Sequence, residues 1–575
     1  MDKTAAREEV ADLYAPFTSD TILEVRSGKL KKYKGLNIES GIDKSLLDEP
    51  VHVGKLGIDG DEHDLTFHGG PDKAVHGYCC SHYPTWQSEF NSAASRFIPG
   101  GFGENFVTRH MNERNVCIGD IMSVGGAGTS DMDGGGLLLQ VSLPRQPCFK
   151  LNHRFELKGF APNTWRLSRT GWYYRVLREG NVAAGDEIRL VERPHPRWTI
   201  ERIQEYLHRN TSDLAATEEL AAIPEFGKEC HDAFVSRAAK LRAKARRDQG
   251  LEEDEEDDPA QWRDFKIAEK QRQTGRIISF VLEAVDPLPE AEGIGQGSHA
   301  KVRIPVPGRA DPLVRAYSIV GGDRNRLELG VALEPDSRGA SRHLHETATP
   351  GDVIQVGRIT GMRLVTSCSS HVFVAGGVGI TAFLSLLEAL RKSNFDASLH
   401  YAVRSADDVP FAGRVLGLGR DVVTLYDASA GERLSIRDII KAMPWNSRLY
   451  FCGPPRMMDE ALRETRAAGI PPEEVHFEAF QAESGGDPFE AVVANRDDAE
   501  VKVRADESLL EALQARFGVD QVPSSCEVGN CGTCVVRLRA GRADHRGSAL
   551  GEEDKAAGSM LSCVSRGVGR ITIEI

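Results

Sequence analysis

From Asp20 to about Arg193 the chain alternates apolar and polar residues in short runs, TILEVRSGKL, GLLLQVSL and DEIRLVE among them, between frequent glycines. Period-two alternation puts successive side chains on opposite faces, so a compact, mostly β domain is predicted over 20–194, after an N-terminal tail at 1–19. The period then lengthens. In TIERIQEYLHR, ELAAIPEF and ECHDAFVSRAAKLRAKA apolar residues recur at helical spacing, with a proline and a glycine interrupting them, which predicts a small helical unit over 195–243. LEEDEEDD, from Leu251 to Asp258, carries one sign of charge and cannot bury itself, so 244–271 reads as a linker. Treated as a flexible coil, such a segment spans roughly 30 Å. GRIISFVLEAVD and HAKVRIPV alternate again, as antiparallel barrel strands would, and set a barrel over 272–367. HVFVAGGVGITAFLSLLEAL then reads as strand, glycine turn (Gly376, Gly377, Gly379) and helix; with the apolar runs ASLHYAVRS and RLYFCGPP it predicts a doubly wound parallel sheet over 368–482. The glycine-rich stretch Gly125 to Gly136 reads as a loop insertion.

At 575 residues the chain exceeds one core, and roughly three to five domains are expected. The formal net charge of -14 argues against a nucleic-acid partner, which needs a basic face. No apolar run reaches the ~18 residues of a membrane span, and the N-terminus shows no secretory pattern. Eleven cysteines in so long a chain make no dense disulfide framework, so a reducing, cytoplasmic setting is expected.

Four of those cysteines are patterned. Cys526, Cys531 and Cys534 stand as C-x4-C-x2-C and Cys563 follows, the plant-type [2Fe–2S] spacing. Gly529 and Gly532 let backbone N–H groups turn toward the sulfurs. Zinc sites more often pair short C-x2-C hooks. The segment 485–575 resembles a plant-type ferredoxin domain.

RAYSIV and SRGASRHLHE, read alone, are ordinary barrel and turn sequences. In order with AGGVGIT and CGPP, they resemble the ferredoxin-NADP-reductase superfamily, and the order of barrel, nicotinamide domain and C-terminal ferredoxin resembles phthalate dioxygenase reductase and vanillate demethylase reductase. That resemblance implies FMN, with FAD as the alternative, held by Arg315, Tyr317, Ser318, Arg338 and Ser341. It implies NADH or NADPH lined by Gly376, Gly377, Gly379, Thr381 and Cys452, with Phe480 covering the flavin. Ala382 departs from a proline that often follows the threonine and alters only helix entry. Arg404 and Ser405 either meet a 2′-phosphate or face solvent.

In the first domain FHGGPDKAVHGY, GFGENFV, CIGDI, QVSLPRQPCFKLN and TGWYYRV resemble, in order, MOSC domains of the 6-N-hydroxylaminopurine-resistance type, and the following helices resemble their small three-helix domain. MOSC proteins are related to molybdenum-cofactor sulfurase C-terminal domains and to the mitochondrial amidoxime-reducing component, in which a cysteine ligates molybdenum. The matching residue is Cys148, and soft thiolate ligation of a redox metal is chemically sound. Lys29, His68, Lys73, Asn105, Arg145 and Asn152 are candidates for the pterin phosphate or the substrate, although Asn105 equally reads as a turn cap and His68 as a partner for backbone groups. His52, His63, His76 and His82 show no metal-ligand spacing.

The fold class is therefore multidomain: a mostly β MOSC domain and small helical domain, an antiparallel flavin-binding β-barrel, a doubly wound α/β nicotinamide domain and an α+β (β-grasp) ferredoxin domain. A nicotinamide gives two electrons as hydride, a [2Fe–2S] cluster passes one at a time, and a flavin does both, so electrons run from NAD(P)H through flavin to cluster. The expected sink is a molybdenum cofactor in the MOSC domain that reduces a small N-hydroxylated substrate. Two alternatives stand: delivery to a separate oxygenase or demethylase, and a MOSC half that carries sulfur or serves as a binding module.

Overall fold

The computed structural model describes all residues except 1–12, 34, 65–68, 126–135, 147, 249–261, 290–292, 309–311, 334–338, 362–367, 472–473, 479–484, 506, 519–520, 525–526, 530–531 and 548. The chain forms two compact units, 1–255 with 365–369 and the remainder.

In the first unit, strands Glu187–Glu192, Ile121–Val124, Leu137–Pro144, Trp172–Arg178, Val75–Cys79, Phe106–Thr108 and Ser19–Ser27 pair in that order, and the last pairs back to the first, closing a seven-stranded barrel. Ser45–Leu46 extends its edge. Leu137, Leu139, Val141 and Leu143 point inward from one strand, as the alternation predicts, against Val75, Trp172 and Tyr174. Helices Ile200–His208 and Leu214–Ala221 start on Thr199 and Asp213, whose side chains accept from the Arg202 and Ala216 N–H groups. They bury Ile200, Ile203 and Leu220 on the same core.

Two findings alter the expected linker. The third helix runs Lys228–Asp248, past 243, and a barrel strand occupies Arg263–Arg272, inside 244–271. Its outer face is charged, which masks the alternation, yet Phe265 and Ile267 are buried in the barrel and the strand pairs with both Ile277–Ala284 and Val353–Thr360. The acidic run itself, and 126–135 of the glycine-rich loop, lie outside the described residues.

In the second unit a closed barrel orders Arg263–Arg272, Ile277–Ala284, Arg326–Ala332, Leu313–Gly322, His299–Ile304 and Val353–Thr360. Next comes a parallel sheet in the order Val423–Asp427, Asp396–Val403, Ser370–Gly376, Ser447–Cys452, Val475–Phe477. Two of its five strands, Val423–Asp427 and Val475–Phe477, are too short and too exposed to show in the apolar pattern. The C-terminal sheet orders Ala499–Val503, Phe489–Val493, Arg566–Glu574, Val535–Asp544 and Ser559–Leu561, and the helix Leu509–Phe517 crosses it from a capping box between Ser508 and Glu511.

Candidate functional site

In the parallel sheet the strand order reverses between Ser370–Gly376 and Ser447–Cys452, so a crevice opens at their carboxyl ends, where open α/β sheets bind ligands. The predicted glycines shape it. A Cβ on Gly379 would stand 2.1 Å from the Cys452 carbonyl oxygen, and one on Gly376 would stand 2.7 Å from Pro454 Cδ. Gly377 has φ +55°, and the Tyr401 hydroxyl donates to its carbonyl at 2.7 Å. Thr381 is buried and donates to the Val378 carbonyl at 2.8 Å, closing the first turn of Ile380–Lys392. Cys452 is fully buried, and burial, with Glu478 nearby, pushes its thiol well above the ordinary range. Glu478 lies in the stretch HFEAF, two residues before Phe480, and carries no sequence signal of its own. Burial pushes its carboxyl up to about 7.

Arg315, Tyr317 and Ser318 lie together on the barrel strand Leu313–Gly322. Tyr317 is half-buried, and burial pushes its hydroxyl up. Ser318 is buried, and its hydroxyl lies beside the Glu478 carboxyl, which it holds down against the effect of burial. Ser341 sits in the helix Ala340–Glu346. Arg338 and Phe480 lie outside the described residues.

In the C-terminal unit Cys534 and Cys563 are both buried, with sulfurs 3.1 Å apart. Gly529 and Gly532 have φ +81° and +75°. The Ser562 hydroxyl and N–H both donate to the Cys534 carbonyl, at 2.8 and 3.1 Å, tying the fourth-cysteine segment to the loop. Cys526 and Cys531 lie outside the described residues. The paired buried thiols and the left-handed glycines suit a [2Fe–2S] cluster.

The MOSC-type unit carries a pocket lined by Cys148 and by Lys44, Lys73, Arg145 and Lys150, with His63, Asp64, His76, Asn105 and Tyr173. Arg145 is buried, clamped by its own backbone: its N–H donates to Gly171 at 3.1 Å, and its carbonyl accepts from Gln204 Nε2 at 3.0 Å and from the Thr170 hydroxyl. Its Nε and Nη1 have no partner among the described residues. The Tyr173 hydroxyl lies within hydrogen-bonding reach of this guanidinium, and a buried guanidinium with further unpaired donors suits an anion. Three of the other cations are already paired: Lys44 with Asp61, Lys73 with Glu229 at 2.5 Å and Lys150 with Asp64 at 3.1 Å. His76 is buried, and burial, then the Arg145 charge, holds it well below the usual imidazole range against the Gly103 and Thr170 backbone groups near its ring. Burial likewise pushes the Tyr173 hydroxyl up, so it stays a donor.

Of the residues expected here, Lys73, Asn105, Arg145 and Cys148 are brought together. Asn105 is part of the wall: Oδ1 accepts from the His76 N–H at 3.0 Å, and Nδ2 donates to Asp61 at 2.8 Å. Two are placed elsewhere. Lys29 is exposed and pairs with Glu62 at 2.9 Å, and Asn152 Oδ1 accepts from the Ala161 N–H at 2.6 Å, fixing the turn between two short helices. His68 lies outside the described residues. Lys44, His63, Asp64, His76, Lys150 and Tyr173 also line the pocket but carry no sequence signal for it, because alternation cannot separate a pocket-facing polar residue from a satisfied buried one. Of the remaining histidines, His52 faces Asp59 at 3.3 Å and His82 is buried on Glu113 at 2.7 Å.

The MOSC domain family matches residues 64–189, and the 2Fe-2S iron-sulfur cluster binding domain family matches 492–567. A reductase of Gibberella moniliformis is 34% identical over 575 residues, covering 96% of this chain and 95% of its own. The carnitine monooxygenase reductase subunit of Escherichia coli is 31% identical over 315 residues, 53% of this chain and 96% of that subunit. A solved structure of phthalate dioxygenase reductase shares 27% identity, with TM-score 0.43, over 55% of this chain and 98% of that one. Fold, site and relatives together define an NAD(P)H-dependent iron–sulfur flavoprotein oxidoreductase. The chain belongs to the reductases that join an N-terminal MOSC domain to a phthalate dioxygenase reductase-like module ending in a 2Fe-2S domain. Among the described residues no helix is long and apolar enough to cross a membrane.

Proposed function

We propose that this reductase supplies its own acceptor, a molybdenum cofactor held in the MOSC pocket, and reduces small N-hydroxylated compounds there. The observation that carries this reading is the buried Arg145, two of whose nitrogens have no partner among the described residues, in the same pocket as Cys148. A pterin phosphate satisfies such a guanidinium, and a thiolate is a suitable ligand for molybdenum. Arg145 and Lys73 would bind the phosphate, Cys148 the metal, and Asn105 would hold the wall between them. When bound, flavin, cluster and metal would supply conversion of a hydride into single electrons, one-electron relay and a two-electron acceptor. The net change is R–NHOH + 2 e⁻ + 2 H⁺ → R–NH2 + H2O. Tyr173, protonated through burial, offers a hydroxyl proton to a polar group in the pocket.

On the reductase side Arg315, Tyr317, Ser318, Arg338, Ser341 and Phe480 would hold FMN, or FAD, and Gly376, Gly377, Gly379, Thr381 and Cys452 would bind NADH or NADPH. Glu478, with its carboxyl near 7, holds a proton at the crevice around neutral pH. Cys526, Cys531, Cys534 and Cys563 would ligate the cluster.

A second reading is favoured by the relatives. The Escherichia coli protein is a reductase subunit of carnitine monooxygenase, and the Ectopseudomonas mendocina relative, 32% identical over 312 residues, is a subunit of a heme-dependent oxidative N-demethylase. On that reading the acceptor is a separate protein. Protein produced in a molybdenum-cofactor-competent host distinguishes the two. NADH-driven reduction of 6-N-hydroxylaminopurine without any added protein, with molybdenum present by metal analysis, supports the first; metal-free protein, active only with an added oxygenase, supports the second.

A further inference from the structure

In the barrel strand His299–Ile304 every second side chain faces inward, and Ala300, Val302 and Ile304 are fully buried. Lys301 therefore points out of the barrel, where a lysine is expected in water. It is instead only 7% exposed. What covers it is the loop of the 2Fe-2S domain: Lys301 Nζ donates to Ser524 Oγ at 2.5 Å and pairs with Glu527 Oε1 at 3.0 Å. These residues flank Cys526. Behind them Gln514 Nε2 donates to Ser524 Oγ at 3.0 Å and to the Val522 carbonyl at 3.1 Å, and the Ser524 hydroxyl reaches Glu527 at 3.2 Å. Glu527 has φ +60°, a left-handed conformation costly for a side chain that could not hydrogen-bond its own backbone neighbours closely, and its carboxylate is held by these two contacts. One ammonium on the flavin-type barrel thus closes a network whose other members all belong to the 2Fe-2S domain, Ser524 and Glu527 on the cluster loop and Gln514 on the helix Leu509–Phe517.

We propose that Lys301 is a positioning residue that latches Ser524 and Glu527 of the cluster-binding loop to the flavin barrel, fixing the separation over which electrons pass. Removing a buried cation would leave the Glu527 carboxylate without its ion-pair partner, held by the Ser524 hydroxyl alone, and free the loop to move. Lys301 touches neither the nicotinamide crevice nor the flavin-strand residues Tyr317 and Ser318 by any contact described above, so hydride transfer is independent of it. The inference rests on the order flavin then cluster; in the parent protein, cluster reduction that precedes flavin reduction would overturn that order, whatever Lys301 does.

The test uses the full-length holoprotein and the variants Lys301→Met, Lys301→Arg and Ser524→Ala. In anaerobic stopped-flow with NADH, Lys301→Met should bleach the flavin at the parent rate and reduce the cluster about tenfold or more slowly. Hydrogen exchange of the backbone at 522–529 should accelerate, and Lys301→Arg should recover part of both. If Lys301→Met sheds its cluster, Ser524→Ala, which keeps the charge and removes one acceptor, must show faster exchange in the loop with normal flavin bleaching. Cluster reduction and loop exchange equal to the parent in Lys301→Met, or parent-like exchange in Ser524→Ala, would overturn the proposal.

Discussion

At the scale of single residues, Cys148 and Glu478 make opposite kinds of prediction. Cys148→Ser is nearly isosteric, so a thiol with no ligand role should cost about 1–2 kcal/mol at most, whereas a metal ligand should lose all NADH-driven reduction of a hydroxylamine while flavin and cluster still reduce. A folded Ser variant with full reductive activity would exclude the ligand role. Arg145→Met should lower pterin and molybdenum content together, measured in the purified protein, because the pocket loses the guanidinium whose Nε and Nη1 have no partner among the described residues. Glu478 is tested by pH. Its carboxyl lies near 7 in the fold against 4.5 for the free group, so the fold binds the extra proton between those values. The stability it contributes is complete below about 4.5 and is lost as pH rises through about 7. Denaturant midpoints of Glu478→Gln should therefore fall less than the parent's between about pH 5 and about pH 8. An equal fall in both would remove the assignment.

At the scale of elements, the nicotinamide sheet carries a second pH signature of the opposite sign. His371, on Ser370–Gly376, is held at about 3 and His476, on Val475–Phe477, at about 4, in each case by burial first and the Arg448 charge second. Both stay neutral in the fold while the unfolded chain protonates near 6.5, so their contribution is complete above about 6.5 and is lost as pH falls toward 3–4. His371→Phe should flatten the loss of stability between about pH 6.5 and about pH 5, followed by circular dichroism. The glycine turn beside this sheet tolerates less. Gly379→Ala would drive a methyl against the Cys452 carbonyl, so the turn must shift; loss of about 1–3 kcal/mol and weaker nicotinamide binding by titration are expected.

At the scale of the whole molecule, the two halves are joined through a run of eight residues, LEEDEEDD, whose charge prevents it from forming a core. If the MOSC half is the acceptor, the tether raises the concentration of donor at acceptor into the mM range. Deleting Leu251–Asp258 should slow substrate turnover while NADH bleaches the flavin at the parent rate. Equal turnover in both chains would remove the tethering argument.

The sequence by itself determined the order of domains and the chemistry of the reductase half, because those signals are local. Cysteine spacing sets what a loop can ligate, and a strand–glycine–helix run sets where a phosphate can approach. The same locality explains the strand Arg263–Arg272, hidden because its outer face is charged and its partners lie far along the chain. Only the tertiary structure decided which polar residues share a pocket. Arg145, His76 and Tyr173 come from three different strands or their ends, and Lys44 and Lys150 from segments over 100 residues apart. It also separated Lys29 and Asn152 from them, since each has a nearer partner. Lys301 is the clearest instance: its strand pattern predicts a solvated lysine, and only the docking of a domain more than 200 residues later in the chain makes it a buried charge. Burial is a property of what covers a residue, and for a long-range contact nothing in the neighbouring sequence records it.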